Sequence, residues 1–161
     1  MEYGPRALCN RSILASPSDN EINTTLNQRL KRTEFMPFAP VIRIENLERL
    51  FPNLKYALPT KYMTITAKVN AKLQSIIPAV VHIDGTARPQ TVSKIDDPLM
   101  HEILLEFERL TAIPALINTS FNAHEEPIVY TATDALRAFQ SGAVDVLVIN
   151  DLILYNKDTE F

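Results

Sequence analysis

The chain has 161 residues, 46% of them apolar, 22% charged and 7% aromatic, and its net charge is −3. That is the composition of a soluble globular protein of one domain or two small lobes; it excludes a disordered or collagen-like chain and a broadly nucleic-acid-binding one. No apolar run approaches the ~20 residues of a membrane helix, no charged-then-apolar leader opens the chain, and the single cysteine, Cys9, fits a reducing, cytoplasmic compartment.

Residues 1–10 have no period and read as a shaped loop, and residues 11–15 as a strand. Ser18 and Glu21 have capping-box spacing, and Ile22, Leu26 and Leu30 stripe the helix that follows, with Lys31 and Arg32 as favourable charges at its end. Two prolines keep residues 35–40 from being a helix interior; residues 41–44 predict a strand and 45–51 a short helix. Residues 62–69, 79–83 and 90–92 read as further strands, the second broken at Asp84-Gly85. Asp97 starts a helix with Leu99, Ile103, Phe107 and Leu110 on one face. Residues 115–117 are a buried-strand candidate, followed by a polar loop over 118–126. Thr131 and Asp134 cap the last helix, Gly142 follows its end, and residues 144–149 and 152–155 are strands around Asn150-Asp151. Helices and strands interleave without strict βαβ order, which predicts an α+β (mixed α/β) fold.

Glycine is scarce: Gly4, Gly85 and Gly142 are about 2% of the chain against a usual ~7%. Neither GxxxxGK[ST] nor GxGxxG occurs, so any bound nucleotide must be held mostly by side chains. Three polar loops carry groups suited to that task. Gly4 to Ser12 holds Arg6, Asn10 and Arg11; a guanidinium donates two parallel bonds to phosphate or carboxylate, although a solvated arginine pair or a structural salt bridge is the plainer reading. His82 to Gln90 contains Asp84, Gly85, Thr86 and Arg88, and reads equally as a binding loop or as a hairpin turn with Asp84-Gly85 at its tip. Asn118 to Asn122 offers two hydroxyls and two amides around Phe121, or a capped turn. His82, His101 and His124 have no ligand spacing, so no metal site is expected. Arg6 and Arg11 beside Cys9 give a weak hint of an activated thiol. The collective signal is an anion pocket of Arg6, Arg11, Lys31, Arg32 and Arg88 with Ser, Thr and Asn donors.

Four segments, MEYGPRALCNRSILA, LNQRLKRTEFMPFAPV, HIDGTARPQTV and LINTSFNAHEEPIV, resemble the C-terminal domain of the carbamoyltransferases that make O-carbamoylated antibiotics and nodulation factors. The resemblance implies a YrdC-like twisted mixed sheet with packed helices, named for the synthase that makes threonylcarbamoyl-adenylate. Ser120-Phe121-Asn122 is similar to that fold's Ser-x-Asn element, and Lys31-Arg32 is a compressed likeness of its Lys-x-Arg element. The implied reaction takes ATP and carbamoyl phosphate to carbamoyl-adenylate and pyrophosphate, then passes the carbamoyl group to a substrate hydroxyl. It assigns Lys31, Arg32 and Arg88 to phosphate charge as the catalytic set, and Arg6, Asn10 and Arg11 to carbamoyl phosphate or the triphosphate. Ser120 and Asn122 hold the adenylate, with Thr86 and Asn118 as supporting donors. Mg²⁺ arrives with ATP rather than in a protein cage.

Three departures from the family pattern stand out. Cys9 and Glu125 replace usual glycines, and Met36 stands where many members have an arginine. Family members also carry an amino-terminal actin/hexokinase-like domain that binds metal and the acceptor. Residues 1–161 are therefore expected to be the C-terminal domain of a longer enzyme, with the missing domain as partner. A non-catalytic nucleotide-binding or docking module and a threonylcarbamoyl-adenylate synthase-like protein are the alternatives.

Overall fold

A computed structural model of the chain describes residue 6 and residues 9–32, 38–54 and 58–156. The first half runs β1 (Ser12–Ala15), α1 (Glu21–Arg29), β2 (Ala39–Arg43), α2 (Leu47–Leu50), α3 (Leu58–Lys61) and β3 (Ala67–Lys68). The second half runs β4 (Thr86–Ala87), β5 (Gln90–Val92), α4 (Pro98–Thr111), β6 (Leu116–Ser120), α5 (Ala132–Gln140), β7 (Val146–Ile149) and β8 (Leu152–Tyr155). The architecture is α+β.

The main sheet has the order β1-β6-β2-β5 and is mixed: β6 is antiparallel to β1 and β2, whereas β2 and β5 run parallel. Ser12 lies opposite Ser120, Ala39 opposite Asn118 and Val41 opposite Gln90. This register puts the starts of β1, β2 and β5 and the end of β6 at one end of the sheet.

Successive strand residues face opposite sides, and both sides are covered. Ile42 and Ile117 join the larger core with Leu26, Leu30, Phe38, Leu50, Phe51 and Ile77. Val41 and Leu116 face the smaller core with Val92, Met100 and Leu104. A strand buried on both faces reads as a continuous apolar run, which is why β2 was legible. Two antiparallel pairs, β3-β4 and the hairpin β7-β8, stand outside this sheet.

Several expectations need correction. The first helix starts at Glu21 without a capping box: Asp19 Oδ1 accepts from the Glu21 N–H, while Ser18 Oγ bonds Ser16 Oγ. Residues 62–69 contribute only Ala67–Lys68 to a sheet, because Thr60 is pulled inward to Thr91 (Oγ1–Oγ1 2.8 Å) and the chain turns after α3. Residues 79–83 are no strand: Pro78 starts a 3₁₀ turn, Pro78–Val80, which buries Ala79 and Val80. In α4 only Phe107 of the expected stripe packs against the smaller core; Leu99 and Leu110 are each 72% exposed, while Met100, His101 and Leu104 point inward. Polar attachments turn the helix that way: His101 Nε2 meets Glu45 at 3.0 Å, and Glu108 accepts from Arg43, Asn46 and Arg49 at 2.7–2.8 Å. Finally, β6 runs through Asn118 to Ser120, part of the segment expected to be loop.

Candidate functional site

At the shared end of the sheet, the residue after β6, the residue before β1 and the end of α1 meet. Phe121 N donates to Arg11 O (3.0 Å), Val129 N to Phe121 O (2.9 Å) and His124 N to Leu30 O (2.8 Å). The loop after β6 is thereby fastened to both neighbouring segments.

Arg32 is the electrostatic centre of this end. Its Nη2 donates to Thr119 Oγ1 at 3.1 Å, and its guanidinium lies 5.5 Å over the Phe38 ring. Burial, and then the charge of Arg6, push the Arg32 pKa below its ordinary value. Among the described residues no carboxylate pairs with Arg32. Two guanidinium groups set close together, one of them half-buried, repel each other, and an anion bound between them offsets that repulsion.

Beneath the pair lies a buried amide cluster. Gln90 is 1% exposed and Asn118 fully buried. Asn118 Nδ2 donates to Gln90 Oε1 at 2.6 Å, and both amides donate to the Arg6 carbonyl at 3.2 Å. Gln90 Nε2 also lies 3.3 Å from Cys9 Sγ. Burial, followed by the Asp97 carboxylate, pushes the Cys9 thiol up to about 12, and the Gln90 amide offsets this only in part. The activated thiol hinted at by its arginine neighbours is therefore absent: Cys9 is a protonated, packed side chain.

Past Lys31 opens a groove of about 450 Å³, lined by Lys31, Asn122, Tyr130 and Arg137 among others. Arg11 Nη1 donates to Val129 O at 3.2 Å and so shapes the groove wall. Asn122 Nδ2 is engaged by the Ala123 and Glu126 carbonyls (2.9 and 3.0 Å). Cys9, Arg11, Lys31 and Glu125 all have left-handed backbones, φ 49–61°. Such conformations cost energy at non-glycine residues, and they concentrate at functional sites.

Arg6, Arg11, Lys31, Arg32, Ser120 and Asn122 are thus brought to one end of the sheet, with exposed Asn10 just before Arg11. Arg88 leads into β5 at the same end, partly exposed, with no ion pair or hydrogen bond among the described residues; the Ser120 hydroxyl is equally free. Arg6, Arg32 and Arg88 do not line the groove. Thr86 is engaged in its own turn: its N–H and hydroxyl both bond Asp84 Oδ1 (2.9 and 2.7 Å) within the turn that follows His82. Asn118 has no exposed surface and acts from inside. Gln90 and Phe38 were missed, since a buried amide or ring looks like any other in sequence, and Thr119, expected as a donor hydroxyl, instead accepts from Arg32.

The carbamoyltransferase C-terminus family model matches residues 1–156. The chain belongs to that family. It is 38% identical to nodulation protein NolO of Bradyrhizobium diazoefficiens, with 95% of this chain matched to 28% of the relative. It is 38% identical to nodulation protein U of Rhizobium tropici, with 98% matched to 26%. It is also 35% identical to the 3'-hydroxymethylcephem-O-carbamoyltransferase of Amycolatopsis lactamdurans, with 93% matched to 28%. The chain therefore spans about a quarter of the length of these relatives.

Set against the family pattern, two departures gain a physical meaning. Cys9 (φ 57°) and Glu125 (φ 61°) stand in left-handed conformations at the two positions where the resemblance leads one to expect glycine, which adopts them without a steric penalty. The third, Met36, lies outside the described residues, as do Gly4, Pro5, Ala7 and Leu8 of the first motif. Among the described residues no group of three His, Cys, Asp or Glu side chains can hold a metal ion, and no helix is long and apolar enough to cross a membrane.

Proposed function

We propose that this domain binds ATP and carbamoyl phosphate and forms carbamoyl-adenylate for transfer to a substrate hydroxyl, as a cytoplasmic O-carbamoyltransferase. The observation that carries the reading is the half-buried Arg32 guanidinium, held by Thr119 beside Arg6 with no carboxylate partner among the described residues. The family membership supplies the reaction class.

Freeing carbamate from carbamoyl phosphate takes up water and releases inorganic phosphate. A carbamate oxygen then bonds to the α-phosphorus of ATP as the bond to the β-phosphate oxygen breaks, releasing pyrophosphate. Charge grows on the non-bridging and leaving oxygens, so catalysis rests on positioning and charge stabilisation. Lys31, Arg32 and Arg88 supply that charge, with Arg6, Asn10 and Arg11 on the phosphates of either substrate. Ser120 orients the adenylate, and Asn122 shapes the loop that borders it. Mg²⁺ comes with the nucleotide.

Mixing the protein with ATP, carbamoyl phosphate and Mg²⁺ is expected to release pyrophosphate only when carbamoyl phosphate is present. Charge-assisted bonds contribute about 1.5–3 kcal/mol, so Arg32→Met and Arg88→Met should each slow release by ~10- to 150-fold. Absence of both ATP binding and pyrophosphate release removes the reading. Because the chain spans about a quarter of its relatives, a second reading is a module that binds nucleotide without turnover; tight ATP binding with no pyrophosphate would select it. Release driven by threonine and bicarbonate instead would mark a threonylcarbamoyl-adenylate synthase.

A further inference from the structure

We propose that Gln90 and Asn118 are positioning residues that act through Arg6, fixing its backbone so that its guanidinium stays beside Arg32. The Arg6 carbonyl accepts from three donors: Cys9 N at 2.9 Å, Gln90 Nε2 at 3.2 Å and Asn118 Nδ2 at 3.2 Å. Two of these come from strands more than eighty residues away in sequence, β5 and β6. The 2.6 Å bond between the amides orients each for its donation, since Gln90 Oε1 takes one Asn118 proton and leaves both Nδ2 and Nε2 facing the carbonyl.

The placement is purposeful in energetic terms. Both amides lie where apolar side chains would pack without leaving any polar group to satisfy, and Asn118 Oδ1 is buried with no hydrogen-bond partner. Leaving an acceptor orphaned is unfavourable, so the cluster is explained by what its donors hold rather than by stability. What they hold is the backbone of Arg6, whose charge, after burial, lowers the Arg32 pKa. An arrangement of like charges drifts apart unless the backbone on each side is fixed. Arg32 is held at its backbone by the Asn27 carbonyl (2.8 Å) and at its guanidinium by Thr119 and Phe38, and the amide pair holds the Arg6 backbone.

The consequence for ligand binding rests on the reading that this cation pair holds phosphate. The positional claim does not, because the chain carries its own reporter. Cys9 is the only cysteine, and it touches Gln90. In the wild type, maleimide labelling of Cys9 is expected to be slow. Gln90→Leu and Asn118→Leu should accelerate it at least tenfold while circular dichroism stays native. Thr91→Val, which removes a buried hydroxyl one residue further along β5, should leave it unchanged. The Arg32 Nε–H resonance should move in Gln90→Leu as it does in Arg6→Met. With Mg-ATP as probe, Gln90→Leu should weaken binding ~10- to 100-fold, with no further loss in the Gln90→Leu/Arg6→Met double variant.

Unchanged labelling, an unmoved Arg32 signal, or additive losses in the double variant would each overturn the proposal. Where Gln90→Leu does not fold, Gln90→Glu keeps the acceptor for Asn118 and removes the donor to Arg6. If the wild type binds no ATP, the functional reading falls, while labelling and the Arg32 resonance still decide whether the amides position Arg6.

Discussion

A thiol held near 12 makes Cys9 a pH-dependent stability element. An unfolded thiol titrates at about 8.5, so the folded state retains a proton that the unfolded state releases above that pH. The contribution of Cys9 is complete below ~8.5 and is lost as pH rises toward the folded value, at about 1.4 kcal/mol per pH unit. Urea titrations between pH 8 and 10 should show the wild type losing stability faster than Cys9→Ala; parallel curves would contradict the buried, repelled thiol. Glu125 makes a second prediction at this scale. Its left-handed backbone costs about 1–2 kcal/mol, and its side chain is 86% exposed. Glu125→Gly should stabilise the fold by about 0.5–1 kcal/mol after glycine's extra chain entropy is counted, raising the melting temperature by roughly 1–4 °C. A fall in melting temperature would count against that backbone geometry.

Among the elements, α4 is held by charge as much as by apolar contact. Burial favours the neutral Glu108 carboxyl, yet donation from Arg43, Asn46 and Arg49 outweighs it and holds the pKa below the ordinary carboxylate value. The stabilisation is present above that ordinary value and disappears as pH falls through the lowered one. Glu108→Gln should cost about 2–3 kcal/mol at pH 7, and the gap from wild type should close as pH falls below the ordinary carboxylate range. A gap independent of pH would mean packing, not charge, holds the helix. This attachment also explains what was illegible in α4: periodicity identified the helix, but Leu99, Ile103 and Leu110 lost the inward face to Met100, Leu104 and the His101 that is hydrogen-bonded to Glu45. Strands whose partners are adjacent or doubly buried, such as β2, β7 and β8, were readable, as was the Thr131–Asp134 capping box. Residues 62–66 and 79–83 have strand-like composition without strands to pair with, and pairing is a property of the whole fold.

For the molecule as a whole, the legible part of the site was its charge. Arginines in non-periodic loops of an acidic chain pointed to an anion pocket, and Arg6, Arg32 and the approach of Arg88 do share one sheet end. The supporting groups Gln90 and Phe38, and the part of Thr119 as acceptor for Arg32, were not legible, because they acquire these roles only when β5, β6 and the end of α1 converge. Thr86 is the complementary case: its hydroxyl, beside Asp84 and Gly85, bonds within its own turn. The central claim is that this convergence holds a phosphate-bearing guest. Titrating the isotopically labelled protein with Mg-ATP and following amide and arginine side-chain resonances tests it most directly. The predicted result is a saturable response confined to Arg6, Arg11, residues 31–32, Arg88 and residues 119–122, weakened by added salt. Shifts confined to the groove around residues 74–84, or no shifts at millimolar nucleotide, would contradict it.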